Sequence, residues 1–250
     1  MPNRMKAIYS QVVFERRMLL GCTVLVGLSI CLWGVAIGTN HWLEARVPED
    51  GRQIVVEEIG VHRKIFQAGN SGLFRVCTRG FRQENVNASV RPYQGCNQNE
   101  MFPVDAKAKR ERRTEADLTL INYYRTNVSL AIIGMFIMVM GFGFSIYTFL
   151  NPRYMFKRLA GGIHFLTCAC VMVVIQVLTS IREHVSKRDN WIFPRSAELN
   201  YGYSFCLAWL VFSCNLSAGC AFMIFSRKRK RDRAPNDEFA MADEPTIIGR

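Results

Sequence analysis

"MLLGCTVLVGLSICLWGVAIG", Met18 to Gly38, carries no charged side chain. Coiled as a helix rising about 1.5 Å per residue, a block of this length reaches across a hydrocarbon core of about 30 Å. Three further blocks share the property: Val128–Leu150, Leu159–Ile181 and Ser204–Ser226. The rival for each is a buried helix of a soluble protein, but such helices are shorter and keep a polar stripe. For the first block a secretory signal competes, with Ala36-Ile37-Gly38 as a tolerable cleavage triplet. Its apolar run, however, exceeds the usual core of about 7–15 residues. The sequence therefore predicts a mainly α membrane protein with four transmembrane spans, at 18–38, 128–150, 159–181 and 204–226.

Lys and Arg in the short flanks set the orientation. Arg16 and Arg17 precede the first span, Arg153, Lys157 and Arg158 fill the connection between the second and third, and "RKRKRDR" (Arg227 to Arg233) follows the fourth. Basic flanks stay on the cytoplasmic side. The segments 1–17, 151–158 and 227–250 are thus expected inside, both termini included, and 39–127 and 182–203 outside, which predicts a multi-pass protein of the plasma membrane. Much of the net charge of +12 secures this orientation, and a nucleic-acid partner is not expected.

Of nine cysteines, seven fall in the spans, where a thiol behaves as a small apolar group. Only Cys77 and Cys96 lie in the first outer loop. An oxidising exterior and a count of two leave one connectivity, so a Cys77–Cys96 disulfide is predicted. A metal site is the alternative, but two thiolates without a CxxC or a nearby His fall short of four ligands. Asn87-Ala88-Ser89 is a glycosylation sequon between the two cysteines, which makes Asn87 the candidate acceptor.

Within that loop, "RQIVVEEIGV" (52–61) and "GLFRVCTR" (72–79) read as strands: short β-branched and apolar runs bounded by Gly, Asn and Pro. The stretch 105–127 has few breakers and is expected to form a helix running into the second span. Its basic cluster, Lys107 to Arg113, either faces an acidic partner or is a solvated face. A small sheet is marginal alone. Trp42, Leu73 and Phe74 are the expected packing residues, and the disulfide the staple.

No catalytic constellation asserts itself. His41, His62, His164 and His184 are scattered, without a His-Glu-x-x-His, a nucleophile elbow or a phosphate-binding glycine loop. No cofactor or metal is expected, and the chain is not expected to be an enzyme. His164 is expected to snorkel or to bond its own helix. A pore or transporter should need charges or broken helices inside the spans, which offer only His164, Gln176 and Asn215.

Trp42 beyond the first span, Gly72-Leu73-Phe74, Cys77 and Cys96 together resemble the Trp, Gly-Leu-Trp, Cys, Cys signature of the claudin superfamily, with Phe74 in place of the second Trp. Within it, "AIGTNHWLEA" (36–45), "SGLFRVCTRG" (71–80), "MFPVDA" (101–106), "TEAD" (114–117) and "YGYSF" (201–205) resemble the gamma subunits of voltage-gated calcium channels and their stargazin-like relatives. The resemblance implies a four-helix bundle carrying a small disulfide-stapled extracellular β-sheet. It also implies an auxiliary role: binding the pore-forming subunit of a voltage-gated calcium channel and modulating its gating or surface expression. A stargazin-like regulator of AMPA-type glutamate receptors and a claudin-like junction protein are the alternatives.

In lipid, helices associate through small residues and hydrogen bonds. Gly34-x-x-x-Gly38 on the first span, and Ser213-x-x-x-Ser217 beside Asn215 on the fourth, are therefore candidate contacts for a partner helix. Packing within the protein's own bundle competes for each.

Overall fold

The computed structural model describes residues 2–48, 54–59, 62–83, 89–99, 115–151, 153–187, 193–194 and 196–226. Asn87, the basic cluster 107–113 and the basic run 227–233 lie outside the described residues. Four long helices form the bundle: α1 (Pro2–Gly38), α2 (Glu115–Leu150), α3 (Tyr154–Lys187) and α4 (Tyr203–Ile224). Each contains a segment long and apolar enough to cross a membrane: Tyr9–Gly38, Leu118–Leu150, Tyr154–Lys187 and Tyr203–Ile224. Hydrogen-bonded helices are what hydrocarbon permits, because every backbone polar group is satisfied within the segment. The helix expected before the second span is present from Glu115 and continues into α2 without a break. α2 ends at Leu150, two residues ahead of Pro152, whose ring disfavours a helical predecessor and removes an N–H donor.

Six antiparallel strands stand at one end of the bundle: β1 (Leu43–Arg46), β2 (Ile54–Ile59), β3 (His62–Ser71), β4 (Arg75–Gln83), β5 (Arg91–Gln98) and β6 (Glu198–Tyr201). The order is β5-β4-β3-β1-β6, and β2 also pairs with β3. Ten-residue β3 serves two partners along one edge: Ile59↔His62 to Ile54↔Phe66 with β2, then Arg46↔Ala68 to Leu43↔Ser71 with β1. The expected strands at 52–61 and 72–79 are found as 54–59 and 75–83. Gly72-Leu73-Phe74 instead makes the β3–β4 turn, closed by Gly72 N donating to the Arg75 carbonyl at 2.8 Å. A bulge at Gln67 shifts the β3–β4 register between Phe66 and Ala68, and Gly80 pairs beside it. A Cβ at Gly80 would overlap the Ile65 carbonyl oxygen, so the close backbone approach at the bulge needs glycine.

β6 comes from the second connection, which carried no strand signal. Its pairing with β1 (Leu43↔Tyr201 to Arg46↔Glu198) joins that connection to the first. β1 shows why the sheet has a core side: Leu43 and Ala45 are buried while Glu44 and Arg46 are not, the period-two alternation of a half-buried strand.

Sheet and bundle share one hydrophobic core. Trp42, Leu43, Ala45, Phe66, Leu73, Val76 and Phe193 pack in a continuous cluster with Trp33, Ala36, Leu120, Tyr124 and, deeper in the bundle, Met138, Val171 and Val211. A second, smaller cluster of Leu19, Cys22, Val26, Ala160, Ala218 and Phe222 fills the far end. There the Lys157 ammonium pairs with the Glu15 carboxylate, and Phe14 meets Phe225 edge to face at 6.5 Å.

Cys77 and Cys96 face each other in register across β4 and β5 and are joined by a disulfide, as the sequence predicts. The bridge spans a sequence separation of 19, which in the chain-entropy account is worth about 3 kcal/mol. Cys77→Ala and Cys96→Ala are therefore each expected to destabilise the sheet by about that amount. The double variant should cost no more than either single one, because all three lose the same bond. Chemical unfolding of the full chain in micelles checks this, and additive losses would show that the two positions act separately.

Candidate functional site

The signature residues converge where α1 ends and the sheet begins. Trp42 is fully buried, and its indole Nε1 donates to the Ala36 carbonyl of α1 at 2.7 Å. Its ring meets Trp33 edge to face at 6.1 Å. A helix leaves its last carbonyls unpaired; here Thr39 N and Thr39 Oγ1 both donate to the Val35 carbonyl, and the Trp42 indole takes Ala36. The same short loop caps the start of α4, where Ser204 N donates to the His41 carbonyl at 3.2 Å and Gly202 N to the Trp42 carbonyl at 3.0 Å. A Cβ at Gly202 would overlap the His41 carbonyl oxygen, so only glycine admits this approach. The hydroxyls of Thr39 and Ser204 stand 2.7 Å apart and close the junction.

The Gly72-Leu73-Phe74 turn rests on that junction. A Cβ on Gly72 would lie 2.7 Å from Asn40 Cα and 2.8 Å from the Thr39 carbonyl oxygen, a clash with backbone that cannot yield. Asn99 holds the turn from the other side: its N donates to the Phe74 carbonyl at 2.8 Å, and its side-chain amide to the Leu73 carbonyl at 3.1 Å. Leu73 is buried, but Phe74 is 36% exposed. The expectation that Phe74 packs the sheet is thus corrected: the turn commits Leu73 to the core and turns its neighbour outward. Asn40 Nδ2 points at Cys77 Sγ, 3.9 Å away, so the disulfide lies against the same loop.

A polar layer crosses the middle of the bundle, between the two apolar clusters. Asn215 on α4 is fully buried; its Nδ2 donates to Ser29 Oγ on α1 at 3.1 Å and to the Val211 carbonyl at 2.9 Å. Ser29 Oγ in turn donates to the Val26 carbonyl. On the other side His164 of α3 is fully buried, with Nε2 2.8 Å from Ser145 Oγ on α2. One side chain from each helix therefore enters the layer. Gly141 makes room for the ring, since a Cβ there would lie 3.2 Å from His164 Cε1. His164 does not snorkel or bond its own helix; it bonds a neighbour, because a buried polar ring needs a partner where water is absent.

Asn215 is accordingly not a partner-helix contact, as it is fully buried and its Nδ2 is spent inside the bundle. Gly34, Gly38, Ser213 and Ser217 are exposed on the outer faces of α1 and α4. Ser213 Oγ donates to the Trp209 carbonyl at 2.9 Å and Ser217 Oγ to the Cys214 carbonyl at 2.8 Å, so neither hydroxyl needs a partner in order to face lipid. Sequence reasoning overlooked Ser29, Ser145 and Asn99, and a polar residue inside an apolar block was the signal for the first two. Among the described residues no three or more His, Cys, Asp or Glu side chains come together as a metal site.

Residues 27–224 match the family model described as PMP-22/EMP/MP20/Claudin tight junction. Among curated proteins, epithelial membrane protein 2 of Homo sapiens and of Pan troglodytes are each 37% identical over 68 residues, 27% of this chain and 40% of their own length. The Rattus norvegicus protein of that name is likewise 37% identical over 68 residues, with 39% of its length covered. The chain thus spans about 40% of the length of the curated relatives it matches.

Removing a buried hydrogen-bond partner costs about 1–3 kcal/mol, and pairs inside membrane proteins couple by about 0.6–2 kcal/mol. Ser29→Ala and Asn215→Ala should each destabilise the bundle, and the double variant should be less damaging than their sum by about that coupling. Unfolding in mixed micelles measures the cycle; strict additivity would mean that α1 and α4 are not joined through this bond.

Proposed function

The chain belongs to the PMP-22/EMP/MP20/claudin family, and from that premise we propose that it is a non-catalytic auxiliary subunit of a voltage-gated calcium channel. It sits in the plasma membrane with both termini cytoplasmic and the sheet outside. The observation that carries a docking role is the outward small-residue surface on α1 and α4: Gly34, Gly38, Ser213 and Ser217 are exposed and not needed by the protein's own packing. A Cβ on Gly38 would meet nothing within 4 Å, and one on Gly34 only the end of Met135 at 3.7 Å. Small residues allow close backbone approach between helices in lipid, where no hydrophobic effect drives them together. The disulfide supports an oxidising, exterior side for the sheet, and the match of "AIGTNHWLEA" and "YGYSF" to the gamma-subunit pattern supports the choice of partner.

Modulation then needs no chemistry. A subunit that binds one gating state of the channel more tightly than another by about 1.4 kcal/mol shifts their ratio tenfold. A stargazin-like role on an AMPA-type glutamate receptor uses the same outer surface on a different partner. A claudin-like junction role draws support from β5, which pairs with β4 alone among the described strands.

A photo-crosslinking residue at Ser213 in the full chain, expressed in its native membrane, is expected to capture the pore-forming channel subunit. The same residue at Phe136, exposed on α2, should not. Recovery of glutamate-receptor chains without channel chains would establish the second partner instead, and adducts with copies of this chain only would favour the junction role.

A further inference from the structure

A cavity of about 360 Å³ opens at the sheet end of α1, lined by Gly38, Asn40, Phe74, Arg75 and Gln98. Gly38 is the last residue of the helix and of its membrane-crossing segment, which places the mouth at the level of lipid headgroups. The lining divides by chemistry. Phe74 supplies an exposed aromatic face, Asn40 and Gln98 supply amides, and Arg75 supplies the charge; none of the described lining residues is a carboxylate. Arg75 is exposed and has no ion-pair partner among the described residues.

Its walls are fixed before any ligand arrives. Gly72 is wedged against Asn40, Asn99 bonds the Leu73 and Phe74 carbonyls, and buried Leu73 anchors the turn, so Phe74 and Arg75 are held outward by a rigid loop. Gly38 contributes no side chain, which leaves space beside the helix. An aromatic ring at the edge of the hydrocarbon with a guanidinium beside it is the arrangement that meets a phospholipid: ring against the glycerol and upper acyl chains, fork-shaped cation on the phosphate.

We propose that this cavity binds the phosphate headgroup of a phospholipid from the leaflet on the sheet side. Arg75 pairs with the phosphodiester, Asn40 and Gln98 donate to its ester oxygens, and Phe74 covers the glycerol. The ligand class follows from the exposed guanidinium, the amides and aromatic ring beside it, and the depth at the end of a membrane span. This goes beyond the docking role and does not depend on the identity of the protein partner.

The test is native mass spectrometry of the full chain released from micelles supplied with palmitoyl-oleoyl phosphatidylcholine. Parallel arms use dioleoylglycerol, which has chains and no phosphate, and glycerophosphocholine, which has phosphate and no chains. The wild-type chain should retain one phosphatidylcholine and no dioleoylglycerol, with glycerophosphocholine failing to displace the lipid at equal concentration. Arg75→Gln should weaken retention about tenfold, the size of one charge-assisted hydrogen bond. Gly38→Leu, which the open space around Gly38 tolerates, should fill the cavity and do the same with the charge intact. Arg79→Gln, an exposed cation on the same strand, should retain lipid as the wild type does. Equal retention by Arg75→Gln and Gly38→Leu would overturn the proposal, as would equally tight dioleoylglycerol. Displacement by glycerophosphocholine would assign the cavity to a soluble phosphate ester instead, and displacement by an Asp- and Glu-rich peptide would assign it to a protein.

Discussion

One hydrogen bond, from the Trp42 indole to the Ala36 carbonyl, joins two structures that obey different solvents. A bundle in hydrocarbon is held by close packing and internal polar pairs, whereas a small sheet in water needs an apolar surface to cover. The indole meets both demands. Its ring lies in the shared core, and its N–H is the closer of two donors, with the Thr39 hydroxyl, to a helix-end carbonyl. From that point the loop 39–42 reaches outward to cap α4 and to support the Gly72 turn. Register of β1, and hence of β3 and β6, follows from where Trp42 is fixed.

The polar layer is the counterpart deeper in the bundle. Ser29, Ser145, His164 and Asn215 each come from a different helix, and all are fully buried. Such a layer costs little while its groups are paired and much if a helix slides by a turn. It therefore fixes the vertical register of helices that lipid alone would not order. A constant outer surface, with Gly34, Gly38, Ser213 and Ser217 in fixed relation, is what a docking subunit has to present.

Parts of this were legible in the sequence. The four spans were readable because uncharged blocks of that length have few other uses, and the Cys77–Cys96 bridge because compartment and count left one pairing. β3 and β6 were not readable: β3 is held by β2, β4 and β1 together, and β6 by β1, which lies far from it along the chain. Phe74 looked like a core residue because its neighbours are apolar, and only the turn locked by Gly72 and Asn99 shows that it points out. For Asn215 the sequence leaves two interfaces open, because periodicity places a residue on a helix face without saying which face meets a neighbour, and the bond to Ser29 decides it. Asn87 and the basic cluster 107–113 stay at the level of sequence expectation.

Sheet and bundle as one cooperative body is the claim on which the rest depends, and hydrogen exchange of the full chain in micelles reads it directly. Amides of β1 and β3 should open with the same free energy as those at the adjoining ends of α1 and α4, and Trp42→Phe should lower all four together. A sheet that exchanges freely while those helix ends stay protected, with no response of α1 to Trp42→Phe, would contradict it.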